Sequence, residues 1–350
     1  MHAAIIGAGL AGLTCARALQ ARDHRVTLFD RGRAPGGRMS SRRLGPDRHA
    51  DHGTRAFLVH DERFAGQVDE WLKSGVAAVW TPELVMIDGP GVARPNRFKS
   101  TRYVGTPEMR APIIDLANQL GTSVTLHRGR NIAGVHHSGS HWVVQDDEGE
   151  AAAFDAVALA VPAPNAAALL TEVPHLHAVA SAVPMTPAWA ATVVFPNRLP
   201  IAFDAANVSI GARHEHAGVL AWMDRESSKP GRTSDECWVL HAGEEWTRDH
   251  INDDAEAVGA QMLDAFFSAT GVTRSEPTEI HTHRWRYAFP VAPLCDGCLW
   301  DDQLLIGACG DWCMGSRVEG AYLSGLAMAS RVMGERSDFL EPCLPTHGRA

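Results

Sequence analysis

The apolar positions of the chain fall into short runs whose period changes from one segment to the next. Residues 3–6 form an unbroken apolar run of strand length. Gly7-Ala8-Gly9-Leu10-Ala11-Gly12 interrupts it, and an Ala/Leu-rich helical stretch continues to about Arg22. A second strand is predicted over 25–29, ending at Asp30. Near the other end, residues 304–306 read as a buried strand entering a Gly310-Asp311 turn, with a helix expected over Val318–Val332. Between these ends the pattern predicts a β-meander around 124–146, β-like runs at 191–195, 218–223 and 237–241, and an amphipathic helix over Ala255–Thr270. In His283-Arg284-Trp285-Arg286-Tyr287 a ring recurs at every second residue, which puts all three on one face of a strand.

The first glycine segment has the chemistry of a phosphate cradle. Gly7 permits a tight turn, Gly9 lets the backbone approach a pyrophosphate, and Gly12 lets the helix pack closely on the strand. The helix start then offers N–H groups and a positive dipole end. Asp30 follows Gly12 by 18 residues, where an acid is expected to accept ribose hydroxyls. A second glycine-and-arginine loop, Arg33 to Ser41 with Gly37, Arg38 and Met39, doubles this equipment and separates FAD from NAD as the expected cofactor.

With these loops the chain resembles the glutathione-reductase-type FAD fold, in the branch that contains amine oxidases. Residues 310–325, GDWCMGSRVEGAYLSG, closely resemble the end of bacterial renalase-like proteins, and further matching segments extend along most of the chain. The resemblance implies an α/β (α+β) architecture, a glutathione-reductase/p-hydroxybenzoate-hydroxylase-like FAD Rossmann domain with a β-sheet substrate domain. The FAD domain is expected to be discontinuous, over 1–60, 104–165 and 300–345. The substrate domain then comprises 61–103 and 166–299, a curved antiparallel sheet roofing the flavin. Cofactor contacts are implied for Gly7, Gly9, Gly12, Asp30, Arg31, Gly37, Arg38, Met39, Gly53, Gly310, Asp311, Val318, Glu319, Gly320 and Ala321, with FAD held non-covalently. The start of the last helix would stabilise the negative charge of reduced flavin.

The resemblance further implies an oxidase that takes hydride from aberrant dihydronicotinamide isomers of NAD(P)H, giving NAD(P)+ and, with O2 as acceptor, hydrogen peroxide. A flat hydride donor calls for ring walls more than for a strong acid or base. Trp222, His241, His283, Trp285 and Tyr287 are the candidates, each with an ordinary core position as its alternative. Residues 53–57 read Gly-Thr-Arg-Ala-Phe, where renalase-like proteins typically carry Gly-Ala-Gln-Tyr-Phe. Arg55 is therefore a candidate for binding a carboxylate or phosphate. The competing reading is an amine or amino-acid oxidase or dehydrogenase in which Lys229 would hold a water near the flavin, although the adjoining Pro230 suggests a surface turn. A flavin monooxygenase lacks a second complete dinucleotide fingerprint. A non-catalytic flavin-stabilised binding protein is the reading outside enzymes.

Composition bounds these readings. The chain has 350 residues, long enough for two domains. A net charge of -9 excludes a nucleic-acid footprint, and no window reaches the roughly 18 apolar residues of a membrane span. Seven cysteines at irregular spacing do not form a disulfide framework, so a cytoplasmic location is expected. The histidine pairs at 175/177, 214/216 and 281/283 and the Cys295/Cys298 pair lack metal-site spacing, and no metal is expected.

Overall fold

The computed structural model describes residues 1–96, 100–210 and 215–335. Lys99, His214, Cys343 and the 336–345 end of the expected FAD domain lie outside them. A six-stranded sheet runs in the order 299–301, 306–308, 156–159, 2–6, 25–30, 124–128, parallel except at its 299–301 edge. Its central strands read as continuous apolar runs because both faces are covered. Alternation divides them between two cores: Ala3 and Ile5 pack toward the helix Leu10–Gln20, while Ala4 and Ile6 face Trp142 and Leu170.

Two expectations change here. Val124–Arg128 does not join the meander but pairs parallel with Arg25–Asp30, Val26 opposite Val124. It can do so because helix Ala111–Asn118 precedes it and supplies the crossover a parallel pair needs. The meander consists of Ile132–His137, Trp142–Asp146 and Ala151–Phe154. Helix Glu62–Ser74, N-capped by Asp61 and ended by left-handed Gly75, buries Phe64, Val68 and Trp71 in the same core as Leu13 and Leu28. Helices Ala163–Leu169 and Pro174–Ser181 likewise pack beside the parallel sheet. These segments therefore lie on the dinucleotide side of boundaries drawn at 61 and 166.

The second layer is a seven-stranded sheet in the order 279–290, 185–195, 236–242, 220–225, 205–208, 84–89, 92–95. It is antiparallel apart from the 205–208/84–89 pair. Helix Ala255–Thr270 covers one face with Val258, Met262 and Phe266 against Trp238 and Leu240. The opposite face supplies Trp222 and His241 to a cavity shared with the first layer.

Candidate active site

The cavity between the layers measures about 2360 Å3. Ordinary small-molecule pockets hold about 300–1,000 Å3, so this space takes a large cofactor and a second molecule. Helix Leu10–Gln20 starts at Gly9 with no side-chain cap, which leaves its first-turn N–H groups to whatever the cavity holds. A Cβ built on Gly9 meets nothing within 4 Å, so the backbone there is open to a ligand. Gly12 does not line the cavity. A Cβ there would stand 1.9 Å from the Gly7 carbonyl oxygen, so its missing side chain serves the helix–strand approach.

The other expected cofactor positions, from Gly7 to Ala321, all line this one cavity. Asp30 accepts the Ala8 N–H at 2.6 Å on one oxygen and the Gly32 N–H at 2.6 Å on the other, fixing the carboxylate beside Arg31. The Gly36 N–H donates to the Ala8 carbonyl, 3.2 Å, and joins the two glycine loops. Arg38 forks onto Asp311, with Nη1 at 2.7 Å from Oδ2, and also donates to the Ala288 carbonyl at 2.9 Å. Helix Val318–Val332 likewise begins without a side-chain cap. Glu319, in its first turn, accepts the His60 and Asp61 N–H groups at 2.6 and 2.8 Å. Its carboxylate is thus engaged within the protein, and the backbone of Val318, Gly320 and Ala321 is what this turn offers a ligand.

Arg55, Trp222, His241, His283, Trp285 and Tyr287 also line the cavity. The loop from Asp51 to Arg55 runs between the layers and is held residue by residue. Asp51 accepts Arg232 at 2.5 Å and the Met109 N–H at 2.9 Å. The His52 carbonyl accepts Trp285 Nε1–H at 2.9 Å, and the Gly53 carbonyl accepts His241 Nε2–H at 3.2 Å. The Thr54 N–H donates to the Arg38 carbonyl at 2.9 Å. A side chain at Gly53 would lie 2.2 Å from that same Arg38 oxygen. Two of the expected ring walls, His241 and Trp285, therefore also anchor this loop. The Arg55 guanidinium lies over the Trp222 ring, 4.4 Å from its centroid.

Lys229 is not in a surface turn. It is 2% exposed, and its Nζ lies 2.7 Å from Asp224 Oδ1 and 3.6 Å from Asp51, with Glu226 in contact. The short turn Glu226–Ser228 folds it inward from the end of strand Leu220–Arg225, and it does not line the cavity. Burial opposes ionisation of Asp51, but Arg232 and Lys229 outweigh it and hold the carboxyl at about 2. Burial and then the Asp51 charge push Glu226 up to about 7. Burial opposes the charge on Lys229 too, yet Asp224, Glu226 and Asp51 raise it above its ordinary value.

The imidazoles behave oppositely. Burial and the Arg55 charge lower His241 to about 4, burial and Arg42 lower His283 to about 4, and burial with His283 lowers His52 to about 3. His52 stacks on Trp285 with centroids 5.4 Å apart and meets His283 edge-on at 4.5 Å. The sequence reading missed His52, Asp51 and Arg232 as site-supporting residues, because their partners are distant in the chain, and it missed Asp224, although its partners Trp222 and Lys229 are only two and five residues away. Among the described residues, no group of His, Cys, Asp or Glu could hold a metal ion, and no helix is long and apolar enough to cross a membrane. Cys298 of the Cys295/Cys298 pair is a buried free thiol that burial pushes up to about 12.

A glycine turn feeding an uncapped helix, a second glycine-arginine loop and a Gly-Asp turn, all opening on one cavity under an antiparallel sheet, define a two-layer oxidoreductase that binds a dinucleotide cofactor. Residues 5–71 match the NAD(P)-binding Rossmann-like domain, and residues 85–333 match the flavin containing amine oxidoreductase family. The chain belongs to the flavin-containing amine oxidoreductases, and its cofactor is FAD. Its fold is similar to the crystal structure of a protein from Exiguobacterium sp. 255-15 assigned as a protoporphyrinogen oxidase. The TM-score is 0.76 at 13% identity, over 95% of this chain and 99% of that one. The cavity fits FAD in size, in its two open helix starts and in the bare backbone at Gly9.

Proposed function

We propose that the protein is an oxidase acting on dihydronicotinamide isomers of NAD(P)H, the renalase-like reaction, with O2 as acceptor and NAD(P)+ and hydrogen peroxide as products. When bound, FAD supplies the hydride acceptor and returns two electrons to O2. The backbone from Gly7 to Leu10 would hold its pyrophosphate, with Gly12 allowing the helix to approach. Asp30 and Arg31 would hold its adenosine ribose, and Gly37, Arg38, Met39, Gly310 and Asp311 the middle of the molecule. Gly53 and residues 318–321 would meet its ring, and Arg55, Trp222, His241, His283, Trp285 and Tyr287 would orient the donor.

The observation that carries this reading is the withdrawal of Lys229 from the cavity, together with the low basicity of His241 and His283. An ammonium substrate must lose a proton before its carbon can give up hydride, and imidazoles near 4 are poor bases for that. A dihydronicotinamide needs no such step, because its ring nitrogen carries no proton to lose. A second reading has its own support. Tyr287, Phe289 and Val291 form an apolar lip at the cavity, 36, 50 and 49% exposed, which a bulky apolar donor such as protoporphyrinogen would cover.

The test is anaerobic stopped-flow absorbance of the yellow holoprotein mixed with equilibrated NADH or NADPH containing minor isomers, beside an amine panel and protoporphyrinogen. Rapid bleaching limited to the isomer fraction, with peroxide on readmitting air, is the expected result. Bleaching by amines or protoporphyrinogen alone replaces it with that donor class.

A further inference from the structure

We propose a second binding site, in the dinucleotide layer and outside the FAD cavity, for a small organic anion: an apolar body that carries one carboxylate or phosphate. The site stands whatever donor the flavin oxidises.

A pocket of about 330 Å3 lies between helix Ala111–Asn118, strand Val124–Arg128 and the Ala34-Pro35 segment. Helices Ala111–Asn118 and Leu10–Gln20 end together, because Gln20 donates to the Gln119 carbonyl and accepts the Gly121 N–H. They also start together. A Cβ built on Gly36 would stand 3.2 Å from Arg110 Cδ, and the Gly36 N–H donates to Ala8, just before the start of helix Leu10–Gln20. Arg128 closes its strand opposite Asp30, whose carboxylate accepts the Ala8 N–H. Arg110 and Arg128 therefore meet at the carboxyl end of the parallel strands, the end at which open α/β sheets take their ligands. Ile114, Ala117, Leu126 and the buried Pro35 supply the apolar wall beside them.

The charge at that end is only partly met. Among the described residues Glu108 is the one hydrogen-bond partner of the Arg110 guanidinium, 3.0 Å from Nη2, and Arg110 Nε is buried with none. Arg128 makes no side-chain hydrogen bond or ion pair among them, and no carboxylate lines the pocket. Glu108 holds one side of Arg110 in place, which fixes the guanidinium before any ligand arrives. Two arginines beside an apolar wall suit an oxyanion on a ring or short chain, since guanidinium N–H groups pair in plane with carboxylate or phosphate oxygens.

Size bounds the ligand. About 330 Å3 stands at the small end of ordinary ligand pockets, about 300–1,000 Å3, so the pocket takes one ring with its acid group and not a dinucleotide. Ala34 is the one lining residue that this pocket shares with the FAD cavity. A ligand here lies beside the cofactor's cavity, across the segment that leads into the second glycine loop.

The experiment titrates the FAD-loaded protein, at low salt and by isothermal calorimetry, with phenyl phosphate, with benzoate and with benzyl alcohol, an uncharged ring of similar size. At least one of the two anions is expected to bind saturably and about tenfold or more tightly than benzyl alcohol, and which of them binds names the acid group. Arg128→Gln is expected to weaken that anion by about tenfold, and Ala117→Tyr, which fills the apolar wall, by at least as much. The proposal is overturned if neither anion binds the wild type, if benzyl alcohol binds as tightly, or if either variant binds the anion as the wild type does, which puts the anion elsewhere. Arg128 is exposed, so its replacement spares the core, and the comparison with benzyl alcohol needs no variant at all. Because no turnover is involved, failure of dihydronicotinamide to bleach the flavin is read separately from it.

Discussion

At the scale of single residues, the site combines cations held charged with imidazoles held neutral. His52 and His241 are the well-buried pair, at about 3 and 4, while His283 is more exposed and contributes less. Their folded values lie below the unfolded value of about 6.5, so their contribution is complete above that pH and is lost as pH falls toward 4. Glu226, raised to about 7, works the other way and relieves the folded state as pH falls toward its unfolded value. The lowered histidines outnumber the one raised glutamate, so the net effect is a loss of stability as pH falls from roughly 6 to 5. Urea midpoints of the holoprotein should fall across that window. A midpoint that stays flat or rises there means that these rings already carry protons in the folded protein.

At the scale of elements, the tightest constraint is the approach of helix Leu10–Gln20 to its own glycine turn. Gly12→Val puts atoms within 1.9 Å of the Gly7 carbonyl and must push the helix start out of line with the cavity. The variant is expected to lose at least tenfold in FAD affinity and about 1–3 kcal/mol in stability, checked by flavin fluorescence on release and by thermal melting. Unchanged affinity would mean that the helix start does not meet the cofactor. This part of the protein was legible in the sequence because Gly7, Gly9, Gly12 and Asp30 act at fixed local spacings, and helices Ala255–Thr270 and Val318–Val332 occupy the residues their periodicity predicts. Strand Val124–Arg128 was misread because alternation gives a strand without naming its neighbour. Lys229 was misread for a related reason. Pro230 speaks for a turn locally, but the carboxylates that draw the lysine inward include Asp51, far away in the chain, and no short window contains both.

At the scale of the whole molecule, two layers enclose one large cavity for the cofactor, and they also share apolar packing, since Leu84, Ala205 and Trp222 of the second sheet lie in the same buried cluster as Leu13 and Leu28 of the first layer. FAD binds the folded protein and not the unfolded chain, so free FAD at a hundred times its dissociation constant should stabilise by about 2.7 kcal/mol. Stripping the flavin should lower the melting temperature and speed proteolysis, with both restored on adding FAD. An apoprotein that melts where the holoprotein does would mean that the layers hold together without it. The ion cluster under the site has a different consequence, for inheritance. Asp51 comes from one layer, and Lys229, Glu226 and Arg232 from the other; separating such partners leaves bare charge inside, at about 3–5 kcal/mol per broken pair. A substrate sheet grafted from a relative would meet an orphaned Asp51, so the two layers must change by matched steps.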